Sequence, residues 1–240
     1  FRKSLSVLVD PPEALALADN PYDLSQRISQ FPDYEWDMSY FDGKYYVYFG
    51  IIPALTFYMP YTLLFHQYPL NDVAVLFFAI AGVFGLTACF TILVRKFFPD
   101  IPAALYFVGL FMLINSSMIT WCVRRPFSYE LALVSAFAFS VCGIAFCLSA
   151  ERKNGAMGKW RSALGCLLLA CAVGCRPTAI FASLLVVPVY LPAFLRLIQT
   201  GKWSKIAGLL LPVIIPYAVV GSGLMIYNQA RFGSVFEFGR

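Results

Sequence analysis

Residues 73–94 read VAVLFFAIAGVFGLTACFTILV, and Arg95-Lys96 follows directly. No charged side chain interrupts these 22 positions, and a helix needs about 20 apolar residues to cross the hydrocarbon core of a bilayer. A helix at the surface of a soluble protein keeps a charged face opposite its apolar stripe. This one has no such face, so its surroundings must be apolar. Working outward, similar runs recur at 102–122, 129–150, 178–195 and 206–227, and a shorter one of about 12 residues lies at 163–174. The chain as a whole is 60% hydrophobic and 13% charged, whereas a soluble domain carries about 25% charged residues. The expected fold is an all-α polytopic membrane protein. Residues 71–240 form its transmembrane helical region, with about six crossing segments.

Residues 1–70 are different in character. Residues 1–48 hold eight of the thirteen acidic residues, broken into turns by Asp10-Pro11-Pro12, Asn20-Pro21 and Phe31-Pro32. The apolar stretch at 49–65 is only 17 residues long and contains Pro53 and Pro60, so it reads as a helix lying at the membrane surface rather than crossing. That choice also orders the charges. With 49–65 outside the count of crossings, Arg95-Lys96, Arg152/Lys153/Lys159/Arg161 and Arg196/Lys202/Lys205 fall on one side. The positive-inside rule makes that side cytoplasmic. Residues 1–70, Arg124-Arg125, Arg176 and the end of the sequence are then extracytoplasmic. The net charge of +5 is spread over these short loops, which argues against nucleic-acid binding. Seven cysteines occupy apolar segments with no CxxC spacing and read as small packing residues, not a disulfide or metal framework. The sequence opens at Phe1 without a methionine and reads as a piece of a longer chain.

Chemistry-bearing groups are few. Residues 33–50, DYEWDMSYFDGKYYVYFG, place four carboxylates and Lys44 among eight aromatic rings beside the apolar region. Such rings can stack on a sugar or anchor at headgroup level. Asp37, next to Trp36, is the candidate general base, since one ionised carboxylate within reach suffices to activate a hydroxyl. Asp42-Gly43 reads as a turn, and Asp33, after Pro32, has a similar structural reading. Lys44 could hold a phosphate or pair with Asp42. Trp36, Tyr45 and Tyr46 are candidate pocket residues. His66 reads as an interfacial hydrogen-bonding group, and the glycosylation acceptor pattern Asn115-Ser116-Ser117 lies inside an apolar run and is discounted.

Two outer turns share a pattern, Arg125-Pro126 before 129–150 and Arg176-Pro177 before 178–195. Proline suits a first helical position, the helix N-terminus favours an anion, and arginine presents a fork of donors matched to phosphate. Arg125, Arg176 and Arg124 are therefore candidate phosphate ligands. Snorkelling to the interface is the alternative for Arg124. A charge placed between two short helices, as Arg176 is, usually has a function. Glu130 could cap its helix or line a pocket with Tyr129, and Arg231 lies in an aromatic and glycine-rich stretch suited to a pocket lip. Arginines and helix ends could supply positive charge without a cofactor, and a divalent cation beside them is compatible with the same residues.

The motifs NPYDLSQR (20–27), WDMSYFDGKYYVYFGIIPAL (36–55), RRPFSYE (124–130), GCRPT (174–178) and YNQARFGSVFEFG (227–239) occur in this order. In that order they resemble the bacterial multi-pass glycosyltransferases of the GT-C superfamily, in the branch related to protein-mannosyltransferases and aminoarabinose transferases. The resemblance implies a GT-C-like helical bundle with an extracytoplasmic loop and a surface-lying helix. It implies hexosyl or pentosyl transfer from a polyprenyl-phosphate-linked donor to an extracytoplasmic glycan, lipid or protein acceptor at the cell membrane. It also implies a catalytic acid just after a first transmembrane helix, which would precede Phe1 and leave Asp37 in the pocket wall. Two other functional classes fit the same composition: a lipid or solute transporter or flippase, for which interrupted helices are equally apt, and a non-catalytic membrane subunit.

Overall fold

The computed structural model describes residues 11–12, 15, 38–47, 50–152 and 155–237. The chain divides into two units, Phe1–Phe49 with Ser222–Arg240, and Gly50–Gly221.

In the first unit, strands β1 (Met38–Phe41) and β2 (Lys44–Val47) form an antiparallel hairpin in which Met38 faces Val47 and Tyr40 faces Tyr45. The turn is Asp42-Gly43, with φ of 48° and 71°, the double positive-φ geometry of a type I′ two-residue hairpin, which Asp-Gly favours. Alternation along the strands then separates two faces. Tyr40 and Tyr45 meet edge to face, with centroids 6.1 Å apart, and are buried with Leu15. Phe41 and Tyr46 turn the other way, and each ring packs 5.5 Å from that of Phe232. The expectation of an all-α chain did not include this hairpin.

The second unit is helical and is built around one helix rich in small residues. Its elements are a π-helical turn Ala54–Tyr58 running into α1 (Met59–Phe65), then α2 (Asn71–Phe97), α3 (Ala103–Ser116), α4 (Ile119–Arg124), α5 (Ser128–Ser149) and α6 (Lys159–Cys175). A 3₁₀ stretch Pro177–Val186 leads into α7 (Val187–Gln199). A short 3₁₀ turn Trp203–Lys205 precedes α8 (Ile206–Phe232), whose last turns, from Ser222, belong to the first unit. Helix α5 is central because Ala, Ser, Gly and Cys recur on more than one of its faces, and small side chains let helix backbones approach closely. On one side, a Cβ at Gly85 of α2 would lie 2.8 Å from the Cys142 backbone nitrogen. On the other, a Cβ at Gly143 would lie 2.8 Å from the Gly165 carbonyl oxygen of α6. Cys89 donates to the Val141 carbonyl across the first contact at 3.1 Å. All seven cysteines are free, five of them buried, so they serve as packing residues.

Among the described residues, four helices are long and apolar enough to cross a membrane: Asn71–Phe97, Ser128–Ser149, Pro177–Gln199 and Trp203–Phe232. Rings such as Phe84, Phe107, Phe111 and Phe181 are exposed, as expected of a surface that meets lipid rather than water. Three of the six expected segments differ from their sequence reading, and one of them, 178–195, does so by beginning as 3₁₀ helix. The run 102–122 is not one helix. It breaks after Ser116 because Asn115, Ser116 and Ser117 each donate to a carbonyl of the preceding turn, at 2.8, 3.0 and 2.6 Å, and such local bonds compete with helix continuation. The run 163–174 is longer than its apolar residues indicate, since Lys159, Trp160 and Arg161 form the first turn and give a helix of 17 residues, about 25 Å long. The stretch 54–65 is too short to cross alone. Its Phe57 is buried against Phe78 of α2 and Cys122 of α4. At its edge Tyr58 donates to Asn71 Oδ1, and burial with the nearby Asp72 carboxylate pushes the phenol up to about 12, so it is protonated at neutral pH.

Candidate functional site

Helices α5 and α6 run antiparallel. Ala136 packs with Cys175 at one end, Gly143 meets Gly165 midway, and Gly158 donates to the Ala150 carbonyl at the other end. The last turn of α6 therefore stands beside Ala136, about two turns into α5, and Arg176, which follows Cys175, reaches back to the first turn of α5 through its side chain. The backbone of Gly50 closes over the same place. Its N–H donates to the Cys175 carbonyl at 3.2 Å, and a Cβ at Gly50 would collide with the Gly174 carbonyl.

Consecutive residues of α5 engage the two candidate arginines. The Arg176 guanidinium carbon lies 4.6 Å from the centroid of the Tyr129 ring, and Arg176 Nη2 reaches the Tyr129 hydroxyl at only 3.5 Å. The contact is thus a cation–π stack more than a hydrogen bond. Arg176 Nη1 is buried and has no hydrogen-bond partner among the described residues. One residue on, Glu130 is buried and pairs with Arg125, Nε to Oε1 at 3.7 Å. The Arg125 guanidinium also lies 5.6 Å from the ring centroids of both Trp121 and Phe127. Arg124 is exposed.

The two Arg-Pro turns differ in detail from their sequence reading. Pro177 does occupy the start of a helix, but a 3₁₀ one. Pro126 lies outside α5, which begins at Ser128 with Phe127 as its N-cap. Only the second Arg-Pro pair therefore has the proline at a helix start. Glu130 makes the Arg125 pair and no capping bond. Trp121 and Phe127 were missed by sequence reasoning, although Trp121 lies one helical turn before Arg125, the spacing that brings side chains together on a helix face.

The remaining candidates lie in the first unit. Tyr45 is almost fully buried in the hairpin core, Tyr46 packs on Phe232, and Lys44 is exposed beside the turn. Arg231 is buried. It donates through Nη1 to the Val47 carbonyl and through Nη2 to Asn228 Oδ1, each at 2.9 Å, and stacks 4.0 Å from the Tyr227 centroid. In this unit it ties β2 to the end of α8. Asp37 and Trp36 lie outside the described residues. Among the described residues no group of three or more His, Cys, Asp or Glu could hold a metal ion.

Comparison with protein-family models, curated sequences and solved structures returns no match, so the functional reading rests on these residues and their geometry.

Proposed function

We propose that this chain belongs to a membrane glycosyltransferase that moves a sugar from a polyprenyl-phosphate donor to an acceptor outside the cytoplasm. The observation that carries the reading is the arginine-bearing end of α5 and α6. Arg176 is oriented by the Tyr129 ring, yet its buried Nη1 has no acceptor among the described residues. A donor phosphate is an acceptor of the right charge and geometry. As the glycosidic bond to phosphate breaks, negative charge grows on the phosphate oxygens, and a fixed guanidinium stabilises that charge more than it stabilises the ground state. Arg125 would supply a second cation from the other side of the α5 first turn, held by Glu130. Arg124 is a further candidate phosphate ligand beside Arg125, and within the first unit Lys44, the aromatic residues of 34–48 and Asp37, as general base or pocket wall, remain candidates in their own right. In this reading the chain crosses the cell membrane about six times, with residues 1–70 extracytoplasmic and the basic loops cytoplasmic. It requires no cofactor and no nucleic acid.

The test is transfer by the full-length protein from polyprenyl-phosphate sugars. Arg176→Ala should cut turnover by about 100-fold or more while leaving the thermal unfolding transition in place; full activity in that variant would remove Arg176 from the mechanism.

A transporter or flippase is the second reading, favoured by one observation: the apolar segment after Arg176 begins as ten residues of 3₁₀ helix, an irregular stretch of the sort found at transport sites. Movement of labelled lipid across proteoliposomes without chemical change would favour it. Donor binding with neither transfer nor movement would favour a non-catalytic subunit.

A further inference from the structure

At the opposite end of α5 and α6, a cavity of about 600 Å³ opens between the α5–α6 loop and the α7–α8 loop. Four cations line it: Lys159, Arg196, Lys202 and Lys205. None has an acidic partner among the described residues, and no acid lines the cavity. The α5–α6 loop contains one acid, Glu151, and it is bound to Lys96 at 2.6 Å. Four like charges around one cavity repel, and each gains by admitting an anion. The fold also builds the arrangement. Gly155, at φ +73°, leaves the space beside the loop that the Arg196 guanidinium fills, and a Cβ there would collide with it. Lys159 lies along Gly208 of α8, its Nζ about one van der Waals contact (3.6 Å) from where a Cβ would stand.

A second observation narrows the class of anion. Lys159 and Gly208 also line an apolar groove of about 440 Å³ that continues along α6 and α8 past Trp160, Ala163, Leu211, Pro212 and Ile215. From Gly208 to Ile215 the groove follows about two helical turns, roughly 10 Å. Trp160, which lines the groove, and Trp203, next in sequence to Ser204 of the cavity wall, are 90% and 64% exposed, as indole rings are where a segment meets the membrane interface. A charged cavity that opens into an apolar groove at interfacial depth has the form of a glycerophospholipid, phosphate first and acyl chain following.

We propose that this cavity binds the headgroup of an anionic phospholipid, with one acyl chain lying in the groove between α6 and α8. The four cations hold the phosphate, and Ser204, at the cavity wall, supplies a hydroxyl donor. The site is remote along α5 from Arg125 and Arg176, and the proposal does not depend on the transferase reading.

The test is native mass spectrometry of the full-length protein released from neutral detergent and titrated with phosphatidylglycerol, phosphatidylcholine and inorganic phosphate. The expected result is one phosphatidylglycerol retained per chain at least tenfold more tightly than phosphatidylcholine. Lys202→Gln and Lys205→Gln, on an exposed loop, should each weaken it about fivefold, and Ala163→Trp, which fills the groove, should weaken it without changing phosphate binding. If either loop variant fails to fold, Lys159→Gln is read in the same way. Equal retention of the two lipids, or unchanged retention in the lysine variants, would overturn the proposal. Displacement of the lipid by equimolar phosphate, with Ala163→Trp having no effect, would overturn the lipid assignment in favour of a free-anion site.

Discussion

Arg176 rests on Tyr129, with the guanidinium carbon 4.6 Å from the ring centroid and Nη1 buried without a partner among the described residues. A cation–π contact contributes about 0.5–2 kcal/mol, whereas a buried donor left unsatisfied costs about 1–3 kcal/mol. The arginine is therefore oriented but not satisfied, and an anion would supply the acceptor that Nη1 needs.

Tyr129 acts on this account through its ring. Tyr129→Phe keeps the stacking face and removes the 3.5 Å contact of the hydroxyl to Arg176, so transfer should fall by less than about fivefold, a loss of up to about 1 kcal/mol. Tyr129→Ala releases the guanidinium and should cost about tenfold or more in turnover. Steady-state kinetics of the two variants check the order, and equal losses would contradict it.

The Arg125–Glu130 pair is asymmetric, with an exposed arginine side chain and a buried carboxylate. Arg125→Ala leaves a buried acid without its cation and should destabilise by about 1–3 kcal/mol, less than for a fully buried pair because water reaches the arginine. Glu130→Gln removes the charge and keeps the shape, so its cost should be smaller, about 1 kcal/mol. Thermal unfolding in detergent measures both. A larger loss for Glu130→Gln than for Arg125→Ala would show that the carboxylate has another partner.

The α5–α6 contact leaves no room for added side chains. A Cβ at Gly165 would lie 2.5 Å from Cys147 Sγ and 2.8 Å from the Gly143 carbonyl oxygen, so Gly165→Ala should force the helices apart at a cost of about 1–3 kcal/mol. Gly221→Ala, with nothing within 4 Å of the new Cβ, is the matched control and should be close to neutral. Both are read as shifts in the unfolding midpoint.

Arg231 is predicted to hold the hairpin. Arg231→Ala breaks its bonds to the Val47 carbonyl and Asn228 and should cost about 2–4 kcal/mol locally. Hydrogen exchange of the amides at Met38–Val47 should accelerate while exchange in α2 and α5 stays slow. Uniform acceleration across the chain would instead mean a global role.

Much of this architecture is legible in hydropathy. The uncharged run at 73–94 becomes Asn71–Phe97, and the run at 129–150 becomes Ser128–Ser149. What hydropathy cannot read is competition for backbone carbonyls, which ends α3 at Asn115–Ser117. Nor does it separate a hairpin from an interfacial loop when both are rich in Tyr, even with Asp42-Gly43 marking the turn. Of the site, the motif RRPFSYE holds Arg125, Tyr129 and Glu130 within six positions, so half of the constellation is local. That Tyr129 would meet Arg176, 47 positions away, depends on the antiparallel pairing of α5 and α6 through Gly143 and Gly165. The basic loops indicated orientation in the sequence. Their convergence on one cavity is tertiary and invisible there.

In the proposed transferase, Arg176 stabilises charge on a donor phosphate. The most direct measurement compares sugar transfer from a polyprenyl-phosphate donor by the full-length protein and by Arg176→Ala and Arg176→Lys, with folding checked by thermal unfolding. A loss of about 100-fold or more is expected in Arg176→Ala, with partial recovery in Arg176→Lys, which restores the charge but not the fork. Wild-type transfer by a folded Arg176→Ala protein would contradict it.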